Sequence, residues 1–500
     1  MKRILFLFLL LSIMAAPFIP AGAVSIAQTR QQDIDDYVKG QMDIAQIPGL
    51  SIGIVEDGEI TYLKGYGTAD DRGTPVTPDT PFSVGSVGKS FTALCIRQLV
   101  NEGRINYDAP VTDYIPWFTL AEDGDAQKIS IKDLLENSSG LSFADGVLSW
   151  TYNSKYSIED VVRRMRSFSA KLPAGSRWEI SNLNYIILGL VVEKVSGMPY
   201  GQYLSKYVFE PLKMESSYPS LNEAQSACLA QGHSVAYGIV VPNNMPVPTG
   251  QVPAGFQYSS ARDMAKYAAL LLNNGYQDGR SIMKGNELPE LSPPFPKPND
   301  ADRHYSVYWS NESHHILQFS EVNGYHGHFG ASSGFTSVLM INNTRRQGIV
   351  VLSNCRDIAA VPDEIMAEDI GFGIAAILDE NIIPGRQYVM HPDVEHNIMI
   401  LLAALLLPFL RLKLVPRFVK AVQKGGWRKR LALVSFTLTD VLLPAAILIG
   451  LPVYYDNTIP YFLATSLETA QPLLVAALLL TASGLRKTFL LLKSKISLAA

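Results

Sequence analysis

The segment Phe82-Ser83-Val84-Gly85-Ser86-Val87-Gly88-Lys89-Ser90-Phe91-Thr92-Ala93 decides how this chain folds. A glycine-bearing loop runs into a helix whose apolar positions, Phe91, Leu94, Cys95 and Leu99, recur at helical spacing until Gly103 stops it. Residues i and i+3 share a helical face, so the Lys89 amine can reach the Ser86 hydroxyl. Serine is a weak nucleophile at its free pKa and needs a base beside it. Lysine becomes that base when burial or nearby positive charge lowers its ordinary pKa of about 10.4. The partial positive charge of a helix N-terminus then favours the developing alkoxide. Spacing alone is weak evidence, because Ser281-Ile282-Met283-Lys284 matches it too and carries no catalytic assignment.

Outward from this segment, the chain reads as strands at both ends around a helical middle. Leu50–Val55 and Glu59–Leu63 flank Asp57-Gly58, a strong two-residue hairpin signal. Gly334–Ile341 and Gly348–Ser353 form a second pair across the polar turn Asn342–Gln347. Between them, Tyr185–Val195 predicts a helix closed by Gly197, and Ser260-Ala261-Arg262-Asp263 caps another ending near Asn274-Gly275. Ser292–Asp300 holds four prolines and reads as a surface loop. The layout predicts an α/β or α+β enzyme-like domain: one sheet assembled from distant segments, with a helical insertion.

Segments along the chain resemble, in order, the class C β-lactamase and penicillin-binding protein-like serine hydrolases. They are Phe82–Ala93, Asp108–Pro116, Ile129–Leu135 running to Ser138–Leu141, Pro173–Trp178, Ser181–Tyr185, Val208–Met214, Pro253–Gly255, Ser260–Ala265 and Gly327–Phe335. The resemblance covers roughly residues 30–380 and implies an α/β (α+β) β-lactamase/transpeptidase-like fold, an antiparallel sheet flanked by helices with a helical subdomain. It further implies that Ser86 and Lys89 are the catalytic pair and that His328-Phe329-Gly330 is the strand triplet beside the cleft. His328 would present a polar or cationic edge, and the backbone N–H groups of Ser86 and Ala331, next to Gly330, would form the oxyanion hole.

The third family element, Tyr-x-Asn, aligns with Ile180-Ser181-Asn182. Asn182 is present, but Ile180 stands where the family tyrosine carries protons to the leaving group and toward the deacylating water. Ser181 has a hydroxyl one residue away. Lys89 alone, His328, or a bound water are alternative proton carriers, and slow turnover is another outcome. The resemblance therefore implies a serine hydrolase acting through an acyl-Ser86 intermediate on cell-wall D-amino-acid peptides, related peptides or esters. The alternative is an impaired sensor or scaffold that binds a peptidoglycan or peptide ligand. No metal, nucleotide or redox cofactor is implied.

A net charge of −4 gives no reason to expect a nucleic-acid partner. Cys95, Cys228 and Cys355 are odd in number and far apart, so they form neither a disulfide framework nor a zinc site. Only 18% of residues are charged and mean hydropathy is +0.11, which points to chain that faces lipid. Lys2 and Arg3, the apolar run Ile4–Phe18 and Ala21-Gly22-Ala23 read as a secretory signal over residues 1–23, with an uncleaved anchor as the alternative. The hydrolase domain is expected over 24–390 and a transmembrane region of about three helices over 391–500. Apolar stretches run about Asn397–Leu410, Leu431–Tyr455 and Tyr461–Leu485. Eight cations and no acid lie from Arg411 to Arg430; Arg486, Lys487, Lys493 and Lys495 follow the last stretch. The positive-inside rule places both groups in the cytoplasm, making the protein multi-pass in the cell membrane with its catalytic domain outside. Asp440 and Glu468 lie within the apolar stretches, with no role assigned.

Overall fold

The computed structural model describes residues 21–122, 124–148, 156–236, 239–243, 247–277, 280–281, 324–357, 366–380, 392–450 and 467–499. The apolar run Ile4–Phe18, the proline-rich loop Ser292–Asp300, most of the second Ser-x-x-Lys match and the turn between the last two apolar stretches lie outside the described residues.

The predicted hairpin is β1 (Gly49–Glu56) and β2 (Glu59–Gly67), and Asp57 and Gly58 both have positive φ, as a tight hairpin turn requires. The distant strands are β3 (His326–Ser332), β4 (Phe335–Asn342) and β5 (Gln347–Ser353). Together they form one antiparallel sheet in the order β2-β1-β5-β4-β3. β1, β4 and β5 are buried almost throughout, because helices cover both faces of the sheet. One face packs on α1 (Ala21–Ala45), which runs across the expected signal boundary, through Ile34, Val38 and Met42. The other carries the helical region. Small residues of β1 let that side come close: a Cβ on Gly53 would lie 3.0 Å from Ala265 Cβ.

The helical region contains α2 (Lys89–Asn101), α3 (Asn182–Ser196) and α4 (Ala261–Leu272). Ser260 accepts from Asp263 N at the start of α4, as its sequence predicts. Gly197 ends α3 in the left-handed conformation. α5 (Met366–Glu380) returns to the sheet with Ile370 and Ile374 in its core.

Beyond it, α6 (Pro392–Lys424), α7 (Gly426–Phe436), which continues as helix to residue 450, and α8 (Leu467–Ala499) make up the C-terminal region. Gly426–Ile449 and Leu473–Lys493 are long and apolar enough to cross a membrane. Among the described residues that makes two such helices where about three were expected; the stretch Asn397–Leu410 lies within α6. Asp440 has a partner: both its carboxylate oxygens accept from Lys487 Nζ, at 2.8 and 2.7 Å, and both residues are buried.

Candidate active site

Three backbone segments meet at Ser86. Val84 donates its N–H to Gln257 O at 3.1 Å, and its carbonyl accepts from Ser337 Oγ of β4 at 2.7 Å. Ser332 Oγ, at the end of edge strand β3, donates to Ser83 Oγ at 2.8 Å. The Ser86 loop is thereby fastened to the sheet before it turns into α2. Glycine is required on both sides of this contact. A Cβ on Gly330 would sit 2.2 Å from Val84 O, and one on Gly85, where φ is +51°, would sit 2.6 Å from Ala331 N. These absences of side chain bring the Ser86 and Ala331 amides, the expected oxyanion donors, to one place.

Ser86 is half-buried and Lys89 is fully buried. Lys89 Nζ lies 2.9 Å from Ser86 Oγ, 2.8 Å from Asn182 Oδ1 and 2.5 Å from Ala254 O. Burial without a carboxylate partner pulls the Lys89 amine down to about 7. A neutral amine has two N–H groups and one lone pair. The amide oxygen and the peptide carbonyl can only accept, so they take the two protons, and the lone pair is left for the Ser86 hydroxyl. The arrangement can therefore withdraw a proton from serine near neutral pH.

Ala254 is the functional group that sequence reasoning missed. Its segment, Pro253–Gly255, figured in the resemblance, but a backbone acceptor has no side-chain signature. The short helix Thr249–Ala254 that carries it is held against α2 by Thr92 Oγ1, which donates to Pro253 O at 2.7 Å. The Tyr185 ring closes another wall, 5.8 Å from Lys89 Nζ. Its hydroxyl donates to Leu135 O at 3.1 Å and is fully buried, so Tyr185 does not stand in for the family tyrosine.

Asn182 opens α3, and its neighbours face two ways. Ser181 is fully buried and donates its Oγ to Ser142 O at 2.9 Å, which commits that hydroxyl to the loop rather than to Lys89. Ile180, half-buried, brings no hydroxyl at all. His328 lies buried on β3. Burial first, and the Lys89 amine second, lower its imidazole to about 3, which favours the neutral ring at physiological pH. Its Nδ1 lies 2.5 Å from its neighbour's carbonyl, Phe329 O, which only accepts, so Nδ1 carries the proton. A ring of such low basicity leaves Lys89 as the better proton acceptor. Among the described residues no group of three or more His, Cys, Asp or Glu is arranged to hold a metal.

The chain is similar to known proteins over about two thirds of its length. Protein flp of Staphylococcus aureus (strain MW2) is 28% identical over 325 residues, 65% of this chain and 63% of its own length. Unguisins hydrolase ungD' of Aspergillus campestris is 30% identical over 339 residues, 63% of this chain and 62% of its own. The chain thus spans a little under two thirds of these curated relatives. Among solved structures, an octameric penicillin-binding protein homologue from Pyrococcus abyssi superposes with a TM-score of 0.56 at 25% identity, covering 69% of this chain and 76% of the other. A D-amino acid amidase from Ochrobactrum anthropi SV3 shares the fold, with a TM-score of 0.56 at 22% identity, covering 70% and 97%. The beta-lactamase family model matches residues 34–368, two thirds of the sequence, and the chain belongs to the beta-lactamase family of serine hydrolases.

Proposed function

We propose that this protein is a membrane-anchored, extracytoplasmic serine hydrolase that acts through an acyl-Ser86 intermediate on small D-amino-acid or cell-wall peptides, related peptides or esters. The observation that carries the reading is the fully buried Lys89 amine, 2.9 Å from Ser86 Oγ and oriented by Asn182 and Ala254. Ser86 Oγ attacks the substrate carbonyl as its proton passes to Lys89 Nζ, and the Ser86 and Ala331 amides receive the oxyanion. Lys89 returns the proton to the leaving group, and water then breaks the acyl-enzyme ester to release the acid and restore Ser86. The hydrolase name of the fungal relative agrees with this chemistry. Residues 1–23 act as export signal, 24–390 as the hydrolase domain and 391–500 as the membrane region, with Arg411–Arg430 in the cytoplasm.

A second reading, a binding protein of low turnover with a peptidoglycan ligand, is favoured by Ile180 and by the commitment of the Ser181 hydroxyl to Ser142. One experiment tests the shared core and divides the two. The full chain is treated with a fluorophosphonate or penicillin probe, the adduct is mapped by mass spectrometry, and turnover of nitrophenyl esters and D-Ala-D-Ala peptides is followed. A label on Ser86 with many turnovers supports the hydrolase; a label without turnover supports the binding protein. Labelling that survives Ser86→Ala overturns both.

A further inference from the structure

The C-terminal region carries a charged surface that the hydrolase chemistry does not use. At 100° per residue, Lys413, Arg417, Lys420 and Lys424 fall within about 60° of one another on α6. All four are exposed. The preceding turns of that same face present Leu402, Leu406, Phe409 and Leu410, each just over half exposed. One face of one helix is therefore apolar up to residue 410 and cationic from 413 onward. Lys413 marks the change: its Nζ lies 4.5 Å from the centroid of the Phe409 ring, so the first charge of the stripe rests on the face of the neighbouring aromatic ring.

The chain then reverses at Gly425-Gly426 and adds Arg428, Lys429 and Arg430, all exposed, beside Trp427, which is 67% exposed. Exposed Leu431, Val434 and Leu438 follow as the helix resumes. A tryptophan and three cations at the start of an apolar span suit the membrane–water boundary. Arg411 is the exception that defines the surface. It points away from the four-residue stripe and donates from Nη2 to Ser435 Oγ of α7 at 2.8 Å. No acidic residue occurs from Arg411 to Arg430, so nothing in this stretch neutralises the patch.

We infer that Lys413, Arg417, Lys420, Lys424 and Arg428–Arg430 form a binding surface for anionic lipid headgroups. The geometry selects a lipid over a soluble polyanion, because the cations continue a face that is apolar and exposed, and Trp427 sits at their level. Phosphodiester headgroups meet the charges while their acyl chains meet Leu406, Phe409 and Leu410. The inference rests on the membrane reading of this region, and its test separates the two.

The full chain is reconstituted in phosphatidylcholine nanodiscs containing one fifth phosphatidylglycerol. Its lipid shell is sampled with spin-labelled phosphatidylglycerol and phosphatidylcholine. Each cation near an anionic surface contributes about a fivefold preference, so wild-type protein should favour phosphatidylglycerol severalfold at 50 mM salt and lose most of that at 500 mM. K413Q/R417Q/K420Q/K424Q/R428Q/K429Q/R430Q should abolish the preference, K413R/K420R/K424R should keep it, and K128Q/R163Q in the hydrolase domain should leave it unchanged. Release of the chain from membranes by alkaline carbonate would overturn the membrane reading. An embedded chain with no phosphatidylglycerol preference, a preference that survives the seven neutral substitutions, or full competition by a soluble polyanion would overturn this inference alone.

Discussion

Asn182→Asp tests the proton path with almost no change in shape. The substitution places a carboxylate oxygen where the amide oxygen now lies, 2.8 Å from Lys89 Nζ. An opposite charge at that range raises a lysine pKa by about 1–3 units. Wild-type Lys89, near 7, is about half neutral at pH 7. In the variant the neutral fraction drops to between about 9% and 0.1%, so acylation at pH 7 should slow by roughly five- to 500-fold. The sign follows from the mechanism. Only the neutral amine accepts the serine proton, so raising its pKa moves the acid limb to higher pH and the rate recovers as pH approaches 10. The assay is the pre-steady-state burst with an activated nitrophenyl ester from pH 5 to 10.5. Wild type should show a limb near 7, with the burst rate at pH 5 about a hundredfold below its plateau. A loss in Asn182→Asp that is equal at every pH would refute the electrostatic argument. A wild-type limb near 10 would remove Lys89 as the base.

Ile180→Tyr should raise the steady rate of ester turnover more than the burst, since general acid–base groups contribute about 10²–10⁴-fold; an unchanged steady rate would mean that deacylation does not lack this group. Ser181→Ala should leave burst and steady rates within about twofold while lowering stability by about 1 kcal/mol, from the lost bond to Ser142; abolished turnover would make Ser181 the proton carrier. Gly330→Ala places a methyl 2.2 Å from Val84 O and should slow probe labelling of Ser86 by about 10²-fold or more, as loss of an oxyanion donor does; normal labelling would argue against the assigned donors. Asp440→Leu should destabilise the detergent-solubilised chain by about 3–5 kcal/mol by stranding Lys487, and Asp440→Leu with Lys487→Met should restore most of that; a single variant as stable as wild type would deny the pair any role in packing.

Much of this was legible where chemistry is local. The i, i+3 spacing of Ser86 and Lys89 needs only helical geometry, and α2 begins and ends at Lys89 and Asn101, as read from its apolar positions and Gly103. The Asp57-Gly58 turn likewise needs only two residues of the right kind. What was hidden depends on segments far apart in the chain. The neutrality of His328 follows from burial under elements that its triplet does not specify. The carbonyl of Ala254 acquires its role only because Thr92, 161 positions before Pro253, fastens that segment to α2. Asp440 reads as an isolated charge until α8 brings Lys487 beside it, 47 positions on.

The position of Lys89 also affects how tightly the molecule folds. An unfolded lysine holds its proton up to about pH 10.4, whereas in the native site the amine gives it up near 7. Between those values the unfolded chain carries one more proton, so stability climbs as pH rises through that window and the gain is complete above it. Below 7 the deficit is constant, and at 1.36 kcal/mol per unit it amounts to about 5 kcal/mol. A domain of this size has a margin of only about 5–15 kcal/mol. The buried Lys89 amine is thus among the largest single strains on the fold at neutral pH. Lys89→Met, inert by design, should melt later than the active protein at pH 7 and lose that advantage above pH 10.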